Sequence, residues 1–200
     1  MKKFKKNQVH ELYNNEKLKI QKLLNSIQIE KLKNFQKLIN FSIKAIKNKK
    51  KIIFYGNGGS ASDAQHLAAE FVVKYNKERI ALPAISLATD TSIITATGND
   101  FTFKKIFSRQ IEAIGNKGDI AIAITTSGNS ENLIEAAKIA NKKNIRTFCF
   151  SGKNGGKLKK FTKYPIIIPS NKTSVTQVLE IMIGQIFCEI VENEFYKKKN

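Results

Sequence analysis

The sequence is poor in several residue types, and each shortage excludes a class of protein. Its 200 residues include no Trp, 2 Cys, 3 Pro and 11 Gly. Because 42% of the residues are hydrophobic, this shortage of Pro and Gly excludes collagen-like and extended disordered structure. Two cysteines are too few for a disulfide framework. Cys149 and Cys188 both lie in apolar runs, which predicts small buried side chains without redox chemistry.

Long apolar runs are also missing. We find no stretch of the ~18–20 apolar residues that cross a bilayer, and the Lys-rich start lacks the apolar core of a secretory signal. We therefore expect a cytoplasmic protein without a membrane partner. A length of 200 residues suits one domain, which we predict to span 1–200, with a helical amino-terminal extension over 1–50 and an α/β core over 51–196.

Acidic residues are outnumbered, since 35 Lys and Arg face 16 Asp and Glu and the formal net charge is +19. This balance is compatible with a polyanionic partner. The lysines are spread along the whole chain, however, and basic charge alone supplies a nonspecific field without an element that reads bases. We predict no nucleic-acid partner and expect the charge to attract small anions such as sugar phosphates.

From Lys51 onward, short apolar runs alternate with helical patterns. The runs are rich in Ile, Val, Phe and Thr, as in strands buried on both faces; they read KIIFY, ALPAISLA, DIAIAIT, IRTFCF and YPIIIP. Helical patterns cover residues 60–75, 103–115, 130–143 and 173–196, and residues 8–48 predict two helices or one broken helix. The alternation predicts the α/β class, with a doubly wound, five-stranded parallel sheet.

The first strand is followed by a glycine-rich loop, YGNGGSAS, at residues 55–62. Its glycines let the backbone take positive φ and let a ligand approach the peptide groups, while Ser60 or Ser62 can cap the next helix. The glycine spacing matches neither the dinucleotide fingerprint nor a Walker loop. A tight turn without a ligand is therefore an alternative interpretation.

A second loop between a strand and a helix, TTSGNSEN at residues 125–132, is rich in hydroxyl groups. The first N–H groups of the following helix attract an anion. A purely structural alternative, in which Ser130 caps that helix, explains only one of the hydroxyls. Loops at the carboxyl ends of strands in an open sheet meet at the ligand-binding crevice, so the two loops together predict a phosphate site.

His66 and Glu70 lie on the helix after the glycine-rich loop. A spacing of four places both side chains on one helix face, where they can converge on a metal or a substrate carbonyl. The alternative is a structural histidine. The other histidine, His10, lies in the Lys-rich amino-terminal helix and has no obvious partner.

Four segments together resemble the sugar isomerase (SIS) domain and, within it, the phosphoheptose isomerases; they read NGGSASDAQHLAAEF, LPAISL, ATGNDFTFKKIFSRQIEAIGNKGD and AITTSGNSENLIEAAKIA. The likeness runs from about Asn34 to Glu194. It implies a flavodoxin-like strand order and the aldose–ketose isomerisation of sedoheptulose 7-phosphate to D-glycero-D-manno-heptose 7-phosphate, for bacterial surface heptoses in lipopolysaccharide or capsule. It also implies a homotetramer with sites at subunit contacts, and no redox cofactor.

The same resemblance implies residue roles. Glu70 would be the base that moves a proton between two carbons, and Glu70 and Gln177 would also line the substrate. The sugar would be contacted by Asn57, Gly58, Gly59, Asn99 and Asp100, and the phosphate by Thr125, Thr126, Ser127 and Ser130. Zinc would be bound by His66, Glu70, Gln177 and a fourth residue of the last helix.

The last helix departs from the family pattern at this fourth position. The family has a histidine eight residues after the glutamine, where this sequence has Gln185. Gln185 therefore occupies the position at which the family has its fourth zinc ligand and its second acid/base residue. An amide does not exchange protons near neutral pH and is a poorer zinc ligand than imidazole. Glu180 or Glu189 of the same helix, or a water molecule, are alternatives for the missing group.

Three functions remain open at this point. The first is a heptose phosphate isomerase, the second a catalytically silent SIS module that binds a sugar phosphate or a protein such as a replication initiator, and the third an isomerase of a different sugar phosphate. The set His66, Glu70 and Gln177 favours an enzyme, because a scaffold has no need of convergent polar side chains. Proton transfer through an enediolate needs a positioned base and a group that holds developing charge on oxygen.

Overall fold

A computed structural model describes residues 6–27 and 33–196 of the chain. It contains five strands, β1 Ile52–Gly56, β2 Ala84–Ser86, β3 Ile120–Thr125, β4 Arg146–Ser151 and β5 Tyr164–Ile167. The helices are α1 Lys6–Ser26, α2 Lys33–Lys47, α3 Gly59–Val72, α4 Thr91–Asp100, α5 Ser108–Ile114, α6 Glu131–Lys142 and α7 Thr173–Phe195. Short 3-10 turns occupy Phe103–Lys105 and Leu158–Lys160.

The five strands form one parallel sheet in the order β2-β1-β3-β4-β5. This confirms the predicted class and the flavodoxin-like order. From β1 the chain crosses to β2 on one side, whereas β3 pairs with β1 on the other side, with Gly56 opposite Ile124. The direction of winding therefore reverses between β1 and β3, and a crevice opens at the carboxyl ends of these two strands.

Helices cover both faces of the sheet. Ile52 and Phe54 of β1 face a layer that contains α2, α3 and α7, whereas Ile53 and Tyr55 face a layer that contains α5 and α6. All four side chains are fully buried. Because both faces are covered, the strands appear in the sequence as continuous apolar runs instead of alternating ones.

Helices α3 and α7 lie side by side and run in the same direction. Their contacts advance together along both helices: Gly59 with Gln177, Leu67 with Gly184, and Phe71 with Phe187, whose rings are 5.3 Å apart. A side chain at Gly184 would collide with Leu67, so this glycine permits the close approach of the two helices. The first turns of α3 are thereby held beside the first turns of α7.

The helix boundaries differ from the predictions in three places. The helix predicted over 103–115 is a 3-10 turn followed by the short α5, and the helix predicted over 60–75 ends at Val72. Helix α4 was not predicted, because among its residues only Thr97 is buried and its sequence has no apolar stripe. Its start is marked by Asp90, whose carboxylate accepts a hydrogen bond from the Ile93 N–H at 2.9 Å. The region predicted as two helices or one broken helix contains α1 and α2, and residues 28–32 between them lie outside the described residues.

The sequence predicted a long helix over 173–196, and α7 confirms it at Thr173–Phe195. By length and composition this helix is long and apolar enough to cross a bilayer, but half of its most apolar 18-residue segment is buried inside the protein. Its buried side chains belong to the core of one sheet face, as in the central helix of a globular fold.

The predicted burial of the cysteines is confirmed: Cys149 and Cys188 are free and buried, and burial raises the pKa of Cys149 to about 12.

Candidate active site

The glycine-rich loop and the hydroxyl-rich loop meet at the crevice between β1 and β3. Asn57, just after β1, and Asn132, in the first turn of α6, exchange hydrogen bonds through their side-chain amides at 3.0 and 2.8 Å. The pair connects the glycine-rich loop, which leads into α3 on one face of the sheet, with α6 on the opposite face. Asn132 is 2% exposed and was assigned no role from the sequence. Its position on the buried face of α6 was the available signal.

The glycine-rich loop presents backbone in place of a capping side chain. Gly58 is the N-cap residue of α3, has φ 56° and offers no side-chain hydrogen bond to the helix. The expectation that Ser60 or Ser62 caps this helix is therefore wrong, because the helix begins earlier, at Gly59. A methyl group at Gly59 would collide with the side-chain amide of Gln177. The Gln177 side chain therefore lies beside the loop, and its predicted roles in substrate and metal binding stay predictions.

The hydroxyl-rich loop is closed by two of its own side chains. Thr125 Oγ1 accepts from the Gly128 N–H and Ser127 Oγ accepts from the Asn129 N–H, both at 3.2 Å, so both hydroxyl hydrogens can still be donated to a ligand. Ser130 is the N-cap residue of α6 but makes no capping hydrogen bond. The purely structural alternative for Ser130 is thus not supported, and the helix start keeps free donors for an anion.

A third loop, residues 152–157 after β4, supports the hydroxyl-rich loop and was missed in the sequence. The Leu158 N–H donates to the Gly128 carbonyl at 2.8 Å, and the Lys157 N–H donates to Asn129 Oδ1 at 3.1 Å. A side chain at Gly128, where φ is 66°, would collide with the Gly155 backbone. The two loops therefore pack backbone against backbone, and the pair Gly155–Gly156 was the signal for this contact.

His66 and Glu70 form the pair that their spacing predicts. His66 Nε2 lies 2.9 Å from Glu70 Oε1, and the side chains are 47% and 18% exposed. The carboxylate is thus open to solvent on one side and held by an imidazole on the other. Gln185 follows Gly184 on the neighbouring α7 and is half-buried. Its predicted roles in catalysis and metal binding stay predictions.

Asn99 and Asp100 lie at the exposed carboxyl end of α4. The Asn99 amide donates to Asp100 Oδ1 at 2.8 Å. A few residues further on, Lys104 lies 3.4 Å from Glu131, the first residue of α6, so this segment approaches the hydroxyl-rich loop. Contact of Asn99 and Asp100 with a sugar stays a prediction.

The side chains present fit a tight zinc site poorly. His66 and Glu70 supply one imidazole and one carboxylate, and the two further ligands predicted from α7, Gln177 and Gln185, offer only amide oxygens. Within residues 6–27 and 33–196, no group of three or more His, Cys, Asp or Glu side chains is placed to hold a metal ion. Zinc in proteins prefers imidazole, thiolate and carboxylate ligands, and the predicted donor set supplies only two of these.

Comparison with known protein families identifies the class of protein to which this chain belongs. Residues 17–152 match the SIS domain family, and the fold and crevice described above are those of this class. The matched segment ends before α7, where the sequence departs from the expected pattern.

Similar proteins and solved structures indicate the subfamily within the SIS domain family. A phosphoheptose isomerase of Clostridium acetobutylicum is 51% identical over 148 residues, which are 74% of this chain and 76% of the relative. The structure of phosphoheptose isomerase GmhA from Neisseria gonorrhoeae has a TM-score of 0.82 at 32% identity, covering 94% of this chain and 98% of that one. A phosphoheptose isomerase from Francisella tularensis gives a TM-score of 0.85 at 27% identity and covers 94% and 97% of the two chains. The chain belongs to the SIS domain family, among the phosphoheptose isomerases.

A buried carboxyl group lies beneath the crevice. Glu180 of α7 is 1% exposed, and among the described residues neither of its oxygens has a hydrogen-bond partner. Burial first, and the Asp63 carboxyl second, raise the pKa of Glu180 from 4.5 to about 8, while the Thr125 backbone acts in the opposite direction. Glu180 is therefore mainly a neutral acid at pH 7, and it is closed to a sugar in this structure.

We predict that Glu180→Gln stabilises the protein at mildly alkaline pH. An unfolded Glu titrates near 4.5, so from about pH 5 to 8 the folded chain keeps a proton that the unfolded chain has lost, and the free energy of unfolding falls as the pH rises. Removing this titration should gain on the order of 1–3 kcal/mol at pH 8. Urea unfolding from pH 5 to 9 measures it. Parallel pH profiles for the variant and the parent protein would contradict the assignment.

Proposed function

We propose that this chain is an aldose–ketose isomerase that converts sedoheptulose 7-phosphate to D-glycero-D-manno-heptose 7-phosphate. Its place among the phosphoheptose isomerases supports the reaction. The single observation that carries the proposal is the His66–Glu70 pair at 2.9 Å, on the helix that begins at the glycine-rich loop. A carboxylate that is 18% exposed and lies within hydrogen-bond distance of an imidazole is suited to carbon-to-carbon proton transfer.

The hydroxyl-rich loop is proposed to hold the phosphate. Thr125, Thr126, Ser127 and Ser130 surround the start of α6, where hydroxyl and N–H donors and the helix dipole favour an anion. An anchored phosphate supplies binding energy that orients the reacting end of the sugar toward α3. Asn57 is held by Asn132, so its proposed sugar contact comes from an already ordered side chain.

The isomerisation moves two protons. Glu70 takes a proton from C1 of the ketose as the enediolate forms and returns it to C2, so the carboxyl group is neutral in between. A second proton passes from the C1 hydroxyl to the C2 oxygen. This second step needs a group that exchanges protons near neutral pH. An imidazole has one ring nitrogen that can donate a proton and one that can accept it, whereas the amide of Gln185 can only form hydrogen bonds; we assign the oxygen step to His66.

The glutamine at position 185 also affects the expected zinc affinity and the choice between two candidate functions. Zinc, which the family resemblance implies, is proposed to bind only weakly, through His66 and Glu70 with amide oxygens of Gln177 and Gln185. The same glutamine is the observation that favours a catalytically silent SIS module. Incubation of the purified protein with sedoheptulose 7-phosphate, followed by NMR with zinc or a chelator, distinguishes the two, because a silent module forms no aldose under either condition.

Three finer points belong to the proposal. The chain is proposed to form a homotetramer, and exposed apolar side chains support self-association; Val73 is 68%, Ile80 70% and Phe103 61% exposed. We also propose that it acts in the cytoplasm. Its product would feed heptose into a bacterial surface polymer, lipopolysaccharide or capsule.

Glu70→Gln should abolish turnover, with a loss of at least ~1000-fold in kcat, because the variant removes the base and almost no volume. Binding of the substrate should change little. The exposed Glu112, on α5 of the opposite sheet face, gives the matched control Glu112→Gln, which should retain full activity. The aldose is followed by NMR, and retained turnover in the Glu70 variant would rule out this mechanism.

Ser127→Ala combined with Ser130→Ala should weaken substrate binding by ~10- to 100-fold, because two hydroxyl donors to the phosphate are lost. KM should rise more than kcat falls. Ser92→Ala, at the exposed start of α4, is the control. Isothermal titration with sedoheptulose 7-phosphate measures the affinity; an unchanged value would place the phosphate elsewhere.

Gln185→His should tighten zinc binding by at least ~10-fold, because an imidazole replaces an amide in the donor set. Zinc titration by calorimetry measures the affinity. Gln65→His, an exposed position on α3, is the control for nonspecific binding by an added histidine. Equal zinc affinities of the Gln185 variant and the parent protein would show that residue 185 does not face the metal.

A further inference from the structure

The carboxyl end of α3 is held by one buried guanidinium. The last four carbonyls of a helix have no partners within it. Arg79 donates to the carbonyls of Glu70 at 2.6 Å, Phe71 at 2.8 Å and Val73 at 3.3 Å, and also to the Ile80 carbonyl at 3.0 Å. A cation at this end also opposes the negative pole of the helix.

Glu192 of α7 anchors this guanidinium from the other side. Its carboxylate lies 3.4 Å from Arg79 Nε, and both side chains are 1% exposed. The same carboxylate accepts hydrogen bonds from the N–H groups of Tyr75, Asn76 and Lys77 at 2.7–2.8 Å. Burial alone would raise the pKa of Glu192, but these N–H groups and Arg79 lower it below its ordinary value, so the pair is ionised at neutral pH.

The position of Glu70 in the helix makes this anchoring functionally important. Glu70 is two residues from Val72, the last residue of α3, and the terminal turn is the part of a helix that frays. A base that is displaced by about 1 Å can lose ~100-fold in rate. The shortest of the Arg79 hydrogen bonds is the one to the Glu70 carbonyl, so the guanidinium fixes the backbone of the residue that carries the base.

We propose that Arg79, held by Glu192, is a positioning residue for the Glu70 base. This inference rests on the proposed function, in which Glu70 transfers the proton. Lysine at position 79 would keep the positive charge but offers a single nitrogen, which cannot serve carbonyls on several sides at once. The proposal therefore predicts that shape, and not charge alone, matters at this position.

Asp119, just before β3, provides a matched control with a different set of partners. Like Glu192, it is a buried carboxylate, 1% exposed, that pairs with a cation and accepts backbone N–H groups: Lys51 Nζ lies at 2.7 Å, the Lys51 N–H at 3.0 Å and the Asn116 N–H at 2.8 Å. It precedes β3 at the amino ends of the strands, away from the crevice. Loss of its charge weakens the fold without touching α3.

The experiment compares Arg79→Lys, Glu192→Gln and Asp119→Asn. Arg79→Lys should lower kcat by ~10- to 100-fold with KM within about twofold, because the phosphate loop belongs to other strands. Glu192→Gln should give a smaller loss of the same kind, and it replaces Arg79→Lys if the latter does not fold. Asp119→Asn should lower the melting temperature and leave kcat unchanged.

A second readout is independent of catalysis. The chain has two histidines, so the ring resonance of His66 is identified by its loss in His66→Asn, and it reports the contact with Glu70 at 2.9 Å. It should shift in Arg79→Lys and Glu192→Gln, and not in Asp119→Asn. An unshifted resonance, or equal losses of kcat in the Arg79 and Asp119 variants, overturns the proposal. If the parent protein does not isomerise the sugar, the proposed function fails, while the resonance still tests the positioning of Glu70.

Discussion

The parallel contact between α3 and α7 is the constraint on which the site depends. Each helix alone carries an incomplete set of polar groups, His66 and Glu70 on one and Gln177 and Gln185 on the other. The close approach at Gly184 brings these sets to one side of the sheet, and Gln177 lies against the first residue of α3. The crevice is completed from the other sheet face by α6, through the amide pair of Asn57 and Asn132.

The sequence predicted the parts of the fold that depend on local pattern. Strands buried on both faces appear as apolar runs, and their order followed from the resemblance to SIS domains. Helix α4 was not predictable in this way, because its one buried residue, Thr97, leaves no periodic stripe. The Gly58 N-cap was also missed, since serines two and four residues later looked like better caps. The start of α4 is a local feature, the Asp90 cap, whereas α3 begins after a glycine that offers no capping side chain.

The candidate site was predictable to a similar extent. The spacing of His66 and Glu70 was sufficient to predict their contact, because a helix places residues four apart on one face. Asn132, Arg79 and the loop 152–157 were missed, because each acts through a residue distant in sequence. Arg79 is an ordinary charged residue in a polar segment until α7 supplies Glu192, more than one hundred positions away. Support of this kind is visible only in three dimensions.

The backbone contact between the hydroxyl-rich loop and the loop 152–157 limits how this enzyme can change its substrate. Gly128 and Gly156 have positive φ, and an added side chain at either would strike the opposing backbone. The end of the crevice that is proposed to hold the phosphate is thus fixed in shape. Selection for a longer or shorter sugar would therefore have to act away from this pair of loops, at positions where a new side chain has room, as it has at Gly98 of α4.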